Sequence, residues 1–244
     1  MKNFALAGCL LLLAVPASAA PPAPVYDWTG FYIGANVGYG WGKSDPGTIS
    51  FFNPGGVFAG SIPGITANTN GVVGGAQGGY NYQVGNFVAG FEGDFSGAGI
   101  YGSVSDPVNA YTASTSVDWL ATARGRVGYA FDRFLIYATG GFAAAGAKAT
   151  LNDSYPPIVI TTSSARTYTG WAAGGGAEWA IDPNWSVRAE YLYLGLGTRQ
   201  FSFSEPSPPG WPLITVDPRL SEQVVRVGID YKFGAPPVPV AAKY

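Results

Sequence analysis

Eight stretches of alternating apolar and polar residues restrict the fold of this 244-residue chain more than any other feature. In the first stretch, Phe31, Ile33 and Val37 share one face of a β-strand, while Asn36 and several glycines share the other. Each stretch is long enough for the roughly 9–11 residues with which a tilted strand crosses a bilayer. The eight predicted strands are residues 28–42, 71–83, 87–100, 116–130, 134–148, 166–181, 186–196 and 221–233.

The connections between these strands alternate between short and long. Short turns are predicted at 84–86, 131–133 and 182–184, and long connections at 43–70, 101–115, 149–165 and 197–220. Tight periplasmic turns and longer external loops are typical of transmembrane barrels. The sequence therefore predicts an all-β fold, an eight-stranded antiparallel up-and-down transmembrane β-barrel with four long external loops and short periplasmic turns.

Two segments of the long connections are unusually apolar. Residues 49–58 and 212–216 are candidates either for contact with a partner or for extensions of the strands above the membrane. We favour extension.

The low charge of the chain agrees with a membrane barrel. Only 11% of residues are charged, against about 25% in soluble domains. After residue 20 no apolar run approaches the roughly 18 residues of a membrane-spanning helix. The net charge of −2 provides no basic surface for nucleic acid.

The N-terminus has the features of a secretory signal peptide. Lys2 precedes an apolar run, and Ala17-Ser18-Ala19 forms a small-residue cleavage site, which predicts cleavage after Ala19 or Ala20. Cys9 lies too early for a lipoprotein box. The predicted organisation is a signal peptide at 1–19, a Pro-rich lead-in at 20–27, the barrel at 28–233 and a Pro-rich periplasmic tail at 234–244.

Aromatic residues cluster at the strand ends, as expected for interfacial girdles. The predicted periplasmic girdle comprises Trp28, Tyr82, Phe87, Tyr129, Phe131, Phe134, Trp179, Trp185, Tyr231 and Phe233. The candidates for the outer girdle are Tyr39, Trp41, Phe95, Trp119, Trp171 and Tyr193.

Several motifs together resemble a known family. They are Trp28-Thr29-Gly30-Phe31-Tyr32-Ile33-Gly34, Gly78-Gly79-Tyr80-Asn81-Tyr82-Gln83, Arg124-Gly125-Arg126-Val127-Gly128-Tyr129-Ala130, Glu190-Tyr191-Leu192-Tyr193 and Val227-Gly228-Ile229-Asp230-Tyr231-Lys232-Phe233. In this order they are similar to the outer-membrane immunogenic proteins, the opacity-related small porin-like surface antigens of Gram-negative bacteria. The resemblance implies an eight-stranded outer-membrane barrel with an antigenic surface, and no shared catalytic residues.

The same resemblance suggests the partners of the chain. These are outer-membrane lipid, the barrel-assembly machinery and host or environmental surface molecules. Phe233 matches the terminal aromatic residue that the assembly machinery reads, but eleven residues follow it, so either Phe233 or Tyr244 is the signal.

Nearly all charges within the strands fall on the face opposite the apolar one, which in a membrane barrel is the lumen. The predicted lumenal charge network consists of the acids Glu92, Asp94, Glu178, Glu190 and Asp230 and the bases Arg124, Arg126, Arg188, Arg226 and Lys232. An eight-stranded barrel is about wide enough for side chains to fill it. We therefore expect ion pairs that plug the lumen, with a narrow ion pathway opened by exchange of partners as the alternative.

The sequence does not favour an enzyme or a cofactor site. The chain contains no histidine, which a serine hydrolase of this architecture would generally need, and Glu92 and Asp94 are better explained as salt-bridge partners. Gly42-Lys43-Ser44 lacks the preceding glycine and the following helix of a phosphate loop. The glycine runs are better explained by barrel closure.

The predicted function is that of an outer-membrane surface protein, with a small passive porin as the alternative. A third interpretation, capture of a ligand such as haem, rests on family analogy alone.

Overall fold

The structure is a computed structural model that describes residues 26–53, 56–106, 111–155, 158–204 and 213–234. The predicted signal peptide and most of the predicted C-terminal tail lie outside these residues. Within the described ranges, no helix is long and apolar enough to span a membrane. The strands are β1 (Gly30–Asp45), β2 (Thr48–Phe52), β3 (Phe58–Pro63), β4 (Ala67–Val84), β5 (Phe87–Asp106), β6 (Tyr111–Phe131), β7 (Phe134–Tyr155), β8 (Ile158–Ala180), β9 (Trp185–Thr198), β10 (Phe201–Ser204), β11 (Leu213–Val216) and β12 (Arg219–Lys232).

Eight of these strands form a closed barrel in the order β1-β12-β9-β8-β7-β6-β5-β4, and all neighbours are antiparallel. The predicted eight-stranded fold is confirmed. The short turns also lie where the alternation placed them, with Gly85 at a φ of 60° and Asp132 at 56°, both in the left-handed region typical of tight turns. The barrel strands are longer than predicted, because β5, β6, β7 and β8 continue through most of the connections 101–115 and 149–165.

The apolar face of the barrel points outward. Phe31, Val37 and Val127 each expose about 60% of their surface, whereas the neighbouring polar residues Tyr32 and Asn36 are buried inside. This is the inversion of a soluble barrel that a lipid surround requires.

Glycines allow the wall to pack closely around the lumenal side chains. A Cβ at Gly34 would overlap the carboxylate of Asp230 and the backbone oxygen of Ile229. A Cβ at Gly174 would overlap the backbone oxygen of Tyr191. Small residues at these inward positions therefore make room for the larger polar groups of neighbouring strands, in line with the expectation from the glycine runs.

The strands are staggered around the barrel. Starting at Val37 and moving from each residue to its paired neighbour, one full turn ends at Val84 of β4, although Val37 itself pairs with Gly74. This offset of ten residues is the stagger that accompanies strand tilt in a closed barrel. The residues that share one depth in the membrane with a residue of β1 are therefore not its hydrogen-bonded partners. On β12, β9, β8 and β7 they lie progressively closer to the outer end of the strand than those partners do.

A second, four-stranded sheet lies beyond the outer rim in the order β10-β11-β2-β3. The seam between β1 and β12 ends with Asp45 opposite Arg219, and the pairing resumes in this outer sheet with Ile49 opposite Val216. The described parts of the two apolar segments in the long connections thus form strands that follow β1 and precede β12. Ile49 and Ile214 are buried there, because the sheet covers the barrel mouth.

One predicted member of the periplasmic girdle is wrong. Trp28 exposes only 2% of its surface and packs with Tyr26 and Leu135 at the periplasmic end of the lumen. Its Nε1 donates a 3.0 Å hydrogen bond to the backbone oxygen of Asp132. Because Trp28 precedes the first residue of β1, strand alternation does not fix its direction, and the segment folds beneath the barrel instead of facing lipid.

Candidate functional site in the barrel lumen

The centre of the lumen holds a compact group of buried charges, here named the charge cluster. Its members are Glu92, Asp94, Arg124, Arg126, Glu178, Arg188, Glu190, Arg226 and Asp230. They project inward from β5, β6, β8, β9 and β12, and the side chains in these ion pairs expose at most 4% of their surface.

Arg124 links three acids of the cluster. Its Nη2 lies 2.6 Å from Glu92 Oε1 and 3.0 Å from Asp94 Oδ2, and its Nη1 lies 3.0 Å from Glu190 Oε1. Glu92 and Arg124 are directly opposite each other on the neighbouring strands β5 and β6. One guanidinium therefore holds carboxylates from two sides of the barrel.

Arg226 and Arg188 bind the other carboxylate oxygens of these three acids, and Arg188 also binds Asp230. Arg226 Nη1 lies 3.0 Å from Asp94 Oδ1 and its Nη2 lies 2.6 Å from Glu190 Oε2. Arg188 binds Asp230 with two donors, at 2.6 and 2.8 Å, and reaches Glu92 Oε2 at 2.5 Å. Such bidentate, charge-assisted contacts are the strongest hydrogen bonds that side chains form.

Arg126 lies at the periplasmic side of the cluster. Its Nη2 donates to Glu178 Oε2 at 2.9 Å, and its Nη1 donates to the Tyr32 hydroxyl at 3.0 Å. The guanidinium carbon also lies 3.9 Å from the centre of the Tyr137 ring, within the range of a cation–π contact.

Uncharged groups complete the coordination of the acids. The Tyr32 hydroxyl donates to Glu92 at 2.7 Å, the Thr122 hydroxyl donates to Asp94, and Gln77 Nε2 donates to Asp230 at 2.8 Å. These residues were not singled out from the sequence, although strand alternation places each of them on the inward face. The carboxylates of the charge cluster are thus occupied by guanidinium, hydroxyl and amide donors, and the described residues include no group of three or more metal-ligating side chains.

Lys232 was predicted to join the charge network, but it lies apart from the charge cluster. Its ammonium donates to the backbone oxygen of Asp27 and lies 4.1 Å from the centre of the Tyr26 ring. It is the last residue of β12, so its side chain meets the lead-in segment that folds under the barrel. Burial raises the pKa of the Tyr26 hydroxyl in this segment above its usual range.

Apolar layers cover the charge cluster on both sides. Towards the periplasm lie Trp28, Val88, Ala130 and Leu135, together with other buried residues of that end. Towards the outside lies a larger apolar group, which includes Ile100, Val117, Leu192, Leu194, Leu196, Leu220 and Val224. The cluster is therefore enclosed by protein above and below, which keeps its ion pairs in surroundings of low polarity.

One further carboxylate lies within the outer apolar layer. Glu222 is fully buried; its Oε1 accepts a 2.7 Å hydrogen bond from the Thr69 hydroxyl, and its Oε2 has no hydrogen-bond partner in the described structure. No cation among the described residues forms an ion pair with it. The sequence contained the signal for this residue, because Glu222 has the same alternation parity as Arg226 and Asp230 on β12.

The family of the chain follows from comparison with known proteins. A family model described as the outer membrane protein beta-barrel domain matches residues 7–233. The chain belongs to this family. The 31 kDa outer-membrane immunogenic protein of Brucella melitensis biotype 1 is 36% identical over 249 residues, covering 96% of this chain and 100% of that relative. The 22 kDa outer membrane protein of Rhizobium leguminosarum bv. viciae is 29% identical, covering 89% of this chain and 83% of the relative.

These relatives confirm the resemblance to the outer-membrane immunogenic proteins and the location in the outer membrane. Among solved structures, the outer membrane protein OprG from Pseudomonas aeruginosa is similar, with a TM-score of 0.53, 15% identity, and coverage of 85% of this chain and 97% of that one. At this identity the likeness supports the barrel fold and carries no information on function.

Proposed function

We propose that this outer-membrane barrel has a structural and surface-interaction role and that the charge cluster closes its lumen to solutes. The observation that carries the proposal is the succession of an apolar layer, the charge cluster and a second apolar layer along the described lumen. Charged side chains that are paired and dehydrated leave little room for water, and opening a path requires breaking several buried ion pairs at once. The proposal assigns no catalytic activity, in keeping with relatives named as outer-membrane immunogenic proteins.

The outer sheet supports the surface-interaction part of the proposal. Val57 and Phe58, at the turn into β3, expose 64% and 59% of their surface beyond the rim of the barrel. Large apolar side chains at an exposed tip are typical of contact sites. Protease treatment of intact cells tests the topology: we expect cuts confined to the four outer connections, and cuts at the short turns would overturn it.

Conductance in planar bilayers tests the closed lumen. The purified, folded barrel is expected to give no steady single-channel current at neutral pH, because no ion passes the paired charges. Stable ohmic steps at low voltage would refute the plug.

The second candidate is a small passive porin for ions or small solutes. It is favoured by the alternative partners that surround Arg226, whose Nη2 lies 2.6 Å from Glu190 and 3.8 Å from Glu92. A guanidinium within reach of several carboxylates can exchange partners and let an ion pass. Under this alternative, the wild-type barrel conducts, and substitution of Arg226 by Gln changes the conductance and its ion selectivity. A closed lumen instead predicts no conductance in the wild-type protein.

We also propose Phe233 as the aromatic signal for the barrel-assembly machinery. Its backbone nitrogen donates a 2.8 Å hydrogen bond to the oxygen of Phe31, so it continues the β1–β12 seam, and 46% of its surface is exposed. Tyr244, the other candidate, lies outside the described residues. Replacement of Phe233 by Ala is expected to slow membrane insertion in cells, whereas removal of Tyr244 is expected to leave it unchanged; the reverse pattern assigns the signal to Tyr244.

A further inference from the structure

Four exposed cations lie outside the lumen near the outer rim of the barrel, and we name them the outer cation arc. They are Lys43 on β1, Lys148 on β7, Arg199 just after β9 and Arg219 at the start of β12. Strand alternation places Lys43 on the same outward face as Tyr39 and Trp41. None of the four takes part in an ion pair among the described residues, so the lumenal network does not account for them.

The strand register brings the members of the arc to neighbouring strands at one level. On β9, Arg219 lies opposite Thr198, the residue that precedes Arg199. On β1, Arg219 lies opposite Asp45, which is two residues from Lys43. Arg199 Nη2 donates a 2.7 Å hydrogen bond to the hydroxyl of Thr169, which carries the arc across to β8.

Lys148 continues the arc on β7. Thr169 pairs with Ala144, and Lys148 lies four residues farther out on the same strand. The stagger of the barrel compensates for this difference, because residues of one level lie progressively farther out along β8 and β7. The arc therefore runs along the side of the barrel formed by β1, β12, β9, β8 and β7.

The arc lies directly beyond the outer aromatic residues. Lys43 follows Trp41 by two positions, and Trp171 with Tyr193, whose ring centres are 5.2 Å apart, mark the same interface on β8 and β9. Aromatic side chains prefer the boundary between hydrocarbon and headgroups. Cations one step farther out are then at the depth of the lipid headgroups.

Two acidic side chains close to the arc, Asp45 and Asp217, lie farther from the membrane than the cations next to them. Asp45 is two residues beyond Lys43, and its Oδ1 accepts a 3.0 Å hydrogen bond from the backbone nitrogen of Gly47. Asp217 is two residues beyond Arg219 towards the outside and is exposed. On β1 and β12 the cations thus lie nearer the bilayer than these two carboxylates, whereas the exposed Asp118, at the β6 bulge opposite Gly146 and Ala147, lies on the membrane side of Lys148.

We propose that the outer cation arc binds the phosphate groups of phosphorylated lipids in the outer leaflet, and so fixes one side of the barrel against them. The arc offers two guanidiniums and two ammoniums to one surface, and guanidiniums match the geometry of phosphate oxygens. Arg166 is exposed at a similar height, but its alternation parity groups it with buried Tyr168, and its Nη1 donates to the backbone oxygen of Ala165. It is therefore not a member of the arc.

Binding of lipid A to the folded mature protein in detergent micelles tests this proposal. The probes are lipid A with both phosphates, lipid A from which the phosphates have been removed, and inorganic phosphate. The test variant is Lys148→Gln combined with Arg219→Gln. The controls are each of these single substitutions and Arg133→Gln, which removes an exposed cation at a periplasmic turn. Heat-modifiable migration in gels verifies that every variant is folded.

We expect about a fivefold weaker affinity for phosphorylated lipid A for each cation removed from the arc, and about thirtyfold for the double variant. Arg133→Gln is expected to stay within about twofold of wild type, and the differences should shrink in high salt because exposed charges are screened. Equal affinity for dephosphorylated lipid A, or a double variant that binds like wild type, overturns the proposal. If Arg133→Gln lost as much affinity as the single substitutions in the arc, attraction by net charge alone would explain the binding. If equimolar inorganic phosphate displaced lipid A, the arc would be an isolated anion site. Either result also overturns the proposal.

Discussion

The contact between Glu92 and Arg124 allows a quantitative test of the charge cluster. The cluster contains five carboxylates and four guanidiniums, so the two single substitutions are not equivalent. Arg124→Gln removes a donor from three acids at once and leaves five carboxylates facing three guanidiniums. Breaking a buried pair in this way typically costs about 3–5 kcal/mol.

Glu92→Gln is expected to cost less, about 1–3 kcal/mol, because its loss balances the remaining charges and the amide still accepts hydrogen bonds. Arg124 retains Asp94 and Glu190, and Arg188 retains Asp230. The double variant should therefore be about 1–3 kcal/mol more stable than the sum of the single effects predicts. It should also be more stable than Arg124→Gln alone.

Urea unfolding of the barrel in lipid vesicles measures these differences. The matched control is Glu92→Gln combined with Arg133→Gln, because Arg133 is exposed at a periplasmic turn outside the charge cluster, where its Nη1 donates to the backbone oxygen of Ile181. The control pair should be additive within about 0.5 kcal/mol. Additivity of Glu92 and Arg124 to the same extent would mean that the lumen is wetter than the contacts indicate, and would favour the porin.

Three further substitutions or measurements address the wall, the outer lumen and export. Val37→Arg at mid-strand should cost about 2–4 kcal/mol of folding in lipid, and Tyr82→Arg at the interface about 0–1 kcal/mol; equal costs would contradict the outward assignment. Glu222→Gln should stabilise the barrel by about 1 kcal/mol or more in urea unfolding at pH 8, since it removes an unpaired buried charge but keeps an acceptor for Thr69, and a loss of stability would point to an undetected cation at this carboxylate. N-terminal sequencing of the exported protein should begin at Ala20 or Pro21, and a lipid-bearing N-terminal cysteine would reinstate a lipoprotein.

Strand alternation was sufficient to predict the barrel and the inward face. The charges of β5, β6, β8 and β9 were assigned to the lumen because they share parity with small residues and oppose an apolar face, and the structure places them there. Glu222 could have been found in the same way. The odd or even position of a residue in a strand indicates which face its side chain points to, but not which residues it contacts. The sequence therefore did not reveal that Arg188 binds Asp230 with two donors or that Lys232 lies apart from the cluster.

The long connections were less predictable. The sequence suggested loops at 43–70 and 197–220, where proline and glycine interrupt the alternation, but each contains two strands. Of these four strands, β2 and β11 pair across more than 150 residues, Ile49 with Val216, and such a pairing leaves no local periodic signal. Trp28 was misassigned for a related reason, since the packing of a segment outside the strands depends on what lies beneath the barrel.

The outer sheet also constrains the order in which the protein is assembled. β2 belongs to the part of the chain that is made first and β11 to the part that is made last, and their pairing prolongs the β1–β12 seam beyond the rim. Both outer hairpins must have crossed the bilayer before β2 and β11 can meet. In the mature barrel, separation of β1 from β12 therefore requires the β2–β11 hydrogen bonds of the outer sheet to break as well as those of the β1–β12 seam.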